Sequence, residues 1–393
     1  MSSQPPAPSA DALAHSAELR ALIHAQIDEA GGAIPFWKFM ELALYAPGLG
    51  YYSAGAAKFG AAGDFVTAPE LGALFAECIA EAFAPVLREI GEAAQFFEIG
   101  GGSGAFAGDA LSHLAALEAT PARYAILEPS ADLRERQRAH LQQRLPADLF
   151  ARVEWVDGPM PGDWQGVLFA NEVVDALPTP RFVIGEGEVF EEYVTRDGEG
   201  FGRTVHPADA LLASAVRHVE RQRGAPLPDG YRSELLPQLP YWVQAVAGGL
   251  RRGAMLFVDY GYARSEFYQD DRDDGTLRAF YRHHVHNDVH RWPGLQDITA
   301  SVDFTALAEA GTGAGFDLAG YCTQASFLLG NGLTDVLEQA EATADEVGRV
   351  ALREQAKRLT LPTEMGERFQ AIGLQRGVDF EPAFELGDLS WRL

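Results

Sequence analysis

Apolar residues recur at intervals of three and four from Ala17 to Ile27 and stop before Gly31-Gly32, a pattern that predicts an amphipathic helix over 17–31 with a glycine end. A second helix is expected over 35–45, opened by Pro35 and closed before Pro47-Gly48. After two loop-like stretches, Gly48–Ser53 and Gly63–Glu70, a third runs from about Pro69 to Ile90 with Phe75, Ile79 and Phe83 on its apolar stripe. The pattern then changes. Short apolar runs over 95–99, 123–127, 152–156 and 166–170 are interleaved with helical spacing over 104–118 and 130–144, which argues a parallel sheet covered on both faces. Residues 181–204 alternate about a Gly185-Glu-Gly187 turn and predict a hairpin, and 206–250 read as helices broken by Pro226, Pro228, Pro237 and Pro240. A strand over 254–259 resumes the sheet. The polar span 260–303 is expected to be a long functional loop, followed by a helix over 303–314, a strand over 316–323 and a helical tail over 334–372.

Composition narrows the class. The chain has 393 residues, 47% of them hydrophobic, enough for one main domain and one appended. Two cysteines, Cys78 and Cys322, are too few and too far apart for a disulfide framework or a metal cluster. No apolar run approaches the roughly 20 residues of a membrane-spanning helix. The Pro/Ser/Ala-rich start lacks the marks of a secretory or transit signal, so it is expected to be disordered through residue 16 and the protein cytoplasmic. The net charge of −25 disfavours nucleic acid as a partner and favours a cationic or neutral substrate, although acidity for solubility alone fits as well.

Phe96–Gly104 carries the chemistry. An apolar strand containing Glu98 runs into Gly100, Gly101, Gly102 and Gly104, and the next strand ends on Glu128. Glycines let backbone N–H groups approach a ligand, and a carboxylate at the tip of the neighbouring strand accepts ribose hydroxyls. Gly100, Gly102 and Ala105 also satisfy the dinucleotide fingerprint, so an NAD(P) site is a rival, and a structural glycine turn is a third reading. The tighter glycine spacing, the acid within the strand and the hundred residues ahead of it weigh against NAD(P), and the pattern Glu-x-Gly-x-Gly-x-Gly resembles that of Rossmann-like S-adenosylmethionine enzymes. The expected fold is an α/β, Rossmann-like doubly wound sheet of the class I methyltransferase type, with N-terminal helices and an inserted or appended helical and hairpin subdomain. Its expected parts are 17–92 (helical region and cofactor-covering loop), 93–180 with 251–334 (core), 181–250 (insert) and 335–393 (helical tail).

Further blocks include Pro47-Gly-Leu-Gly-Tyr-Tyr52, Gly63-Asp-Phe-Val-Thr-Ala-Pro-Glu70, Asn171-Glu-Val-Val-Asp-Ala-Leu-Pro178 and Asp259-Tyr-Gly261. They continue with Gly275-Thr-Leu-Arg278, His283, Asp297-Ile-Thr-Ala300, Val302-Asp-Phe304 and Pro362-Thr-Glu-Met-Gly-Glu367. In this order they resemble the MidA-like family of S-adenosylmethionine-dependent methyltransferases across almost the whole chain. The resemblance implies a protein-arginine methyltransferase, because the family's mitochondrial members methylate a core subunit of respiratory complex I and assist its assembly. Asn171-Glu-Val-Val-Asp has valines where the family more often has aromatics, and Ser301 stands where its histidine is common.

Glu172 and Asp175 are the candidate carboxylates for gripping a guanidinium, and Asn171 for holding the cofactor's methionine end or orienting the substrate; the alternative for Asn171 and Asp175 is capping of a following helix. Asp64 and Thr67 lie in the loop that the resemblance places over the cofactor, against turn and cap roles beside Pro69. Asp157 is a candidate for adenine or an ordinary Asp-Gly turn. Glu98 is expected to anchor the loop's backbone. Tyr51 and Tyr52 are pocket or core aromatics. His283, His284, His286 and His290 match no metal-site spacing; a substrate-shaping loop competes with solvated histidines, and only His283, which belongs to a family block, is a catalytic candidate by that resemblance. No metal is expected. The expected partner is an arginine-bearing protein subunit, and a homodimer is compatible with the sequence. A small-amine methyltransferase and an assembly chaperone that keeps the cofactor fold are the competing functions.

Overall fold

The computed structural model describes residues 5–53 and 67–393. The chain forms two compact units, a smaller one from Met1–Phe65, Val174–Gln238 and Arg264–Ser301, and a larger one from Val66–Val173, Leu239–Ala263 and Val302–Leu393. This differs from the expected division, which joined residues 264–301 to the core.

The larger unit is built on an eight-stranded sheet. Its strands, in chain order, are β1 (Gln95–Ile99), β2 (Arg123–Leu127), β3 (Val153–Val156), β4 (Trp164–Asn171), β5 (Leu250–Tyr262), β6 (Val302–Asp303), β7 (Asp317–Thr323) and β8 (Phe369–Arg376). Spatially they run β7-β8-β5-β4-β1-β2-β3, with β6 beside β5. From β5 across to β3 all pairings are parallel, and β8 is antiparallel to both neighbours. The strand order reverses between β1 and β4, which places the ligand crevice of such a sheet at the carboxyl ends of these two strands. The near-continuous apolar runs of β1 and β4 follow from burial on both faces. Phe75 and Phe83 of the helix Leu74–Ile90 pack with Phe96, Phe106 and Phe169 in one core, where the Phe106 and Phe169 rings stack at 4.3 Å.

The tail expected to be helical to residue 372 contributes β8. Its two helices, Leu333–Thr343 and Glu346–Thr360, end before Pro362, and Phe369–Arg376 then inserts between β5 and β7. The pairing that makes it a strand joins Leu374 to Met255, a partner far away in sequence that local periodicity does not report.

In the smaller unit the helix Ala10–Glu29 starts seven residues before the expected one. Ser9 caps it by accepting from the Ala12 N–H at 3.2 Å, so the segment expected to be disordered through residue 16 is helical from Ala10. The predicted hairpin is present as Arg181–Gly185 and Glu188–Asp197, joined through Glu186 and Gly187, both at positive φ. It belongs to a five-stranded sheet with Ala33–Pro35, Gly200–Pro207 and Arg232–Glu234. Residues 206–250 are thus only partly helical. The span 260–303 is not a plain loop either: Arg278–Tyr281, His284–His286 and Asp297–Thr299 form a small antiparallel sheet. Its strands are three or four residues long and one of its turns is Arg282-His283, without the Asn-Gly signature that marks a hairpin in sequence.

Candidate active site

The site in the larger unit begins where β1 ends. The chain turns through Gly100, Gly102 and Gly104, at φ of 73°, 53° and 86°, into the helix Ala105–Ala116. A Cβ on Gly100 would lie 2.8 Å from Val173 Cγ2, and one on Gly101 would lie 2.8 Å from Ile126 Cγ2, so close packing requires glycine there. Gly102 is different: nothing lies within 4 Å of its would-be Cβ, so its backbone opens to a ligand. The N-terminus of the following helix adds a favourable dipole. The loop therefore fits the cofactor that its sequence predicts.

Glu128 sits one residue past β2 and is buried. The Ser130 N–H donates to its Oε1 at 3.0 Å and Gln137 Nε2 to its Oε2 at 3.2 Å. Each oxygen keeps a further lone pair able to accept from a ligand donor. Burial pushes this carboxyl up to about 7, against the pull of the Ser130 and Gln137 hydrogen bonds and the Arg134 charge. Gln137 also donates to the Gly102 carbonyl at 2.9 Å and accepts from Trp155 Nε1 at 2.8 Å, so one buried amide ties the glycine loop to the Glu128 carboxylate. Sequence reasoning missed it. The available signal was a glutamine at the inward position between Leu133 and Leu141 of a helix otherwise rich in charge.

Asp157 lies just past β3, exposed, with Arg134 Nη1 donating to its Oδ1 at 2.6 Å. Arg134 also donates to the carbonyls of Val156, at 2.9 Å, and Glu128, clamping the ends of β2 and β3 together. Glu98 is buried within β1 and accepts from the Tyr124 hydroxyl at 2.8 Å, a partner on the neighbouring strand rather than the loop backbone it was expected to anchor. Burial pushes it up to about 8, with the Tyr124 bond opposing and the Glu128 charge adding to the rise, so it holds a proton at neutral pH.

Thr67 stands at the N-cap of the short 3-10 helix Ala68–Leu71, but its side chain makes no capping bond. One residue past Pro69 the missed residue of this stretch appears: Glu70 accepts from the Ser103 hydroxyl inside the glycine loop. Asp64 lies outside the described residues.

At the end of β4, Asn171 Nδ2 donates to Glu172 Oε1 at 3.1 Å, and Asn171 Oδ1 is buried without a protein partner. Glu172 has φ of 52°, a left-handed conformation that a non-glycine residue adopts only under constraint, and its N–H donates to the Val258 carbonyl at 2.9 Å. No helix follows. Residues 172–180 bend and turn before the strand Arg181–Gly185, so neither Asn171 nor Asp175 caps a helix.

Asp175 belongs to the smaller unit, where it is buried and its carbonyl accepts from the Ala300 N–H at 3.0 Å. Tyr52, in the same unit, donates to both carboxylate oxygens of Asp297 at 3.0 Å, and Tyr51 is in its core. His283 is an exposed hairpin-turn residue at φ of 61°. His290 instead packs against Phe36 and Phe39, and burial lowers it to about 3. Among the described residues no group of three histidine, cysteine or acidic side chains is placed to hold a metal ion, and no helix is long and apolar enough to cross a membrane.

The comparisons agree with this geometry. The protein arginine methyltransferase NDUFAF7 of Danio rerio is 30% identical over 370 residues, covering 87% of this chain and 83% of the relative. Its Drosophila melanogaster homologue is 28% identical over 88% of this chain and 82% of its own length. A crystal structure of a COG1565 superfamily member from Burkholderia thailandensis, bound to S-adenosyl-homocysteine, is 41% identical and superimposes with a TM-score of 0.92 over 99% of this chain and all of the other. The family model Methyltransf_28 matches residues 78–322, which include the glycine loop, Glu128 and Asn171-Glu172. The chain therefore belongs to this family of S-adenosyl-L-methionine-dependent methyltransferases.

Proposed function

We propose that this methyltransferase modifies an arginine side chain of a protein partner and that Glu172 receives the guanidinium. The observation that supports this is the constrained backbone of Glu172 at the carboxyl end of β4, with Asn171 holding one carboxylate oxygen at 3.1 Å. A strained residue at the ligand end of a sheet is where positioning matters most. The cofactor supplies an electrophilic methyl group. The protein's part is to hold the nucleophile in line with it, since correct orientation lowers the barrier to a displacement. Arginine is a reluctant nucleophile with a delocalised charge and a pKa above about 12, so a carboxylate that pairs with two of its N–H groups both neutralises and aims it. Asn171 Oδ1 offers one more acceptor for an N–H of the bound substrate. The naming of the relatives as protein arginine methyltransferases supports the same substrate class. A subunit of a respiratory complex is the client we infer from the family resemblance.

The test is methyl transfer from labelled cofactor to proteins that co-purify with the chain, read as methylarginine by mass spectrometry, for wild type and Glu172→Gln. Losing one charge-assisted pair costs about 1.5–3 kcal/mol, so turnover should fall by roughly tenfold to a hundredfold while cofactor affinity stays within a few-fold. Full turnover in the variant would remove Glu172 from the substrate site. Label recovered only in small-molecule filtrates would replace the protein substrate with a free amine.

A further inference from the structure

The block Gly275-Thr-Leu-Arg278 lies in the smaller unit and has no part in the chemistry described above. It lines a cavity of about 250 Å³. Four arginines line the same cavity, Arg181, Arg203, Arg272 and Arg278, in a chain whose net charge is −25.

Their charges are spent unequally. Arg181 is buried, with Nε 3.1 Å from Glu234, Nη1 3.1 Å from Glu192 and Nη2 3.1 Å from Asp274. Arg203 is paired more loosely: its Nε lies 3.8 Å from Glu192, an ion pair without hydrogen-bonding reach that leaves its N–H donors unspent. Arg278 donates from Nη1 to the Leu277 carbonyl at 2.7 Å, a contact that leaves its charge uncompensated. Two guanidinium forks therefore retain donors at one cavity. Of the lining aspartates, Asp274 is engaged by Arg181, whereas Asp271 and Asp273 are exposed and form no ion pair among the described residues. Asp271 and Asp273 oppose any anion at the cavity, so a ligand must be compact enough to meet the arginine forks directly, where paired hydrogen bonds outweigh that repulsion.

The wall is also fixed in place. Gly275, at φ of 74°, runs so close to Glu234 that a Cβ would lie 2.4 Å from both carboxylate oxygens. The Thr276 N–H donates to Glu234 at 2.7 Å, the Arg232 N–H to the Asp273 carbonyl at 2.9 Å, and Arg181 Nη2 to the Asp274 carbonyl at 2.8 Å. A pinned wall loses little entropy when a ligand binds. We propose that this cavity is a binding site for a small oxyanion, a phosphate or a carboxylate group, held by Arg203 and Arg278. The inference is independent of the methyl-acceptor assignment.

The experiment is isothermal titration calorimetry of the full chain with inorganic phosphate and, separately, succinate at low ionic strength. It is run on wild type, Arg203→Gln, Arg278→Gln and the double variant, with melting temperatures confirming that each is folded. Saturable binding of one anion per chain is expected, weakened about tenfold or more by either single change and lost in the double, because each removes a charge-assisted fork. Arg203→Lys should bind with intermediate strength, keeping the charge but not the fork. Binding of phosphate alone assigns a tetrahedral ligand, and binding of succinate alone a carboxylate. No saturation with either anion, or equal binding by wild type and double variant, would overturn the proposal. Both arginines are solvent-exposed, so if the double variant fails to fold the single variants and Arg203→Lys carry the same test.

Discussion

Replacing Glu128 by Gln should both weaken cofactor binding and remove the part of its pH dependence that this carboxyl supplies. Burial holds this carboxyl at about 7 in the cofactor-free chain. Ribose hydroxyls donate most strongly to the ionised form, so binding pulls the group towards ionisation. With a value near 7, roughly a tenth of the chains carry an ionised Glu128 at pH 6 and about nine-tenths at pH 8, so wild-type affinity should rise about tenfold between them. Glutamine cannot follow that rise. It also meets a local conflict. The Gln137 amide faces Glu128 with its Nε2 because its Oε1 is committed to Trp155, so a glutamine at 128 that accepts from Ser130 turns its own NH₂ towards another donor. At pH 8 the lost charge-assisted bonds cost about 1.5–3 kcal/mol, a tenfold to hundredfold drop in affinity. The assay is calorimetric titration with S-adenosylhomocysteine at pH 6, 7 and 8 and constant ionic strength. The ligand's own ionisable groups meet both proteins alike, so the difference between them isolates Glu128. A wild-type affinity that changes less than about twofold over this range, or a variant with the same profile, would refute the reasoning.

Glu98, pushed up to about 8, keeps its proton in the folded chain between its ordinary 4.5 and that value while the unfolded chain has lost it. Stability from this group should therefore be highest below 4.5 and fall by at most about 1.4 kcal/mol per pH unit across the window, so Glu98→Gln should flatten the dependence of urea midpoints between pH 5 and 8; parallel curves would contradict it. Gly102→Val places a β-branched residue at φ of 53° with no neighbour to clash with, so a strain of about 1–3 kcal/mol should leave circular dichroism native while cofactor titration heat disappears. Arg181→Ala leaves Glu234 buried without its cation, whereas Glu192 keeps Arg232 at 3.0 Å, and should cost about 3–5 kcal/mol, seen as a large fall in melting temperature that Glu234→Gln in the same background partly restores.

The cofactor half of the site was legible in the sequence because its parts are local to single strands. A parallel strand that ends in closely spaced glycines, and a neighbouring strand that ends in an acid, meet at one edge in any sheet of this kind, so Gly100, Gly102, Gly104 and Glu128 could be placed side by side before their contacts were known, whereas the partner of Glu98 could not. The alternation of apolar runs and helical spacing likewise determined the parallel core, since burial on two faces leaves that mark on every strand. What only the tertiary structure decided depends on pairs that are distant in the chain. Glu70 meets Ser103, and Gln137 meets Gly102 and Glu128, through packing that no spacing rule encodes. The strand Phe369–Arg376 exists because Leu256 and Tyr321 flank its Gly373 and Ile372, not because its own residues insist on being extended. The expectation of a plain loop over 260–303 failed for the same reason: three- and four-residue strands carry too little periodicity to be seen until Arg278 finds Thr299 and Tyr281 finds His284. Charge followed this division too, because −25 was countable from composition, whereas the gathering of Arg181, Arg203, Arg272 and Arg278 around one cavity required the fold to bring separate segments together.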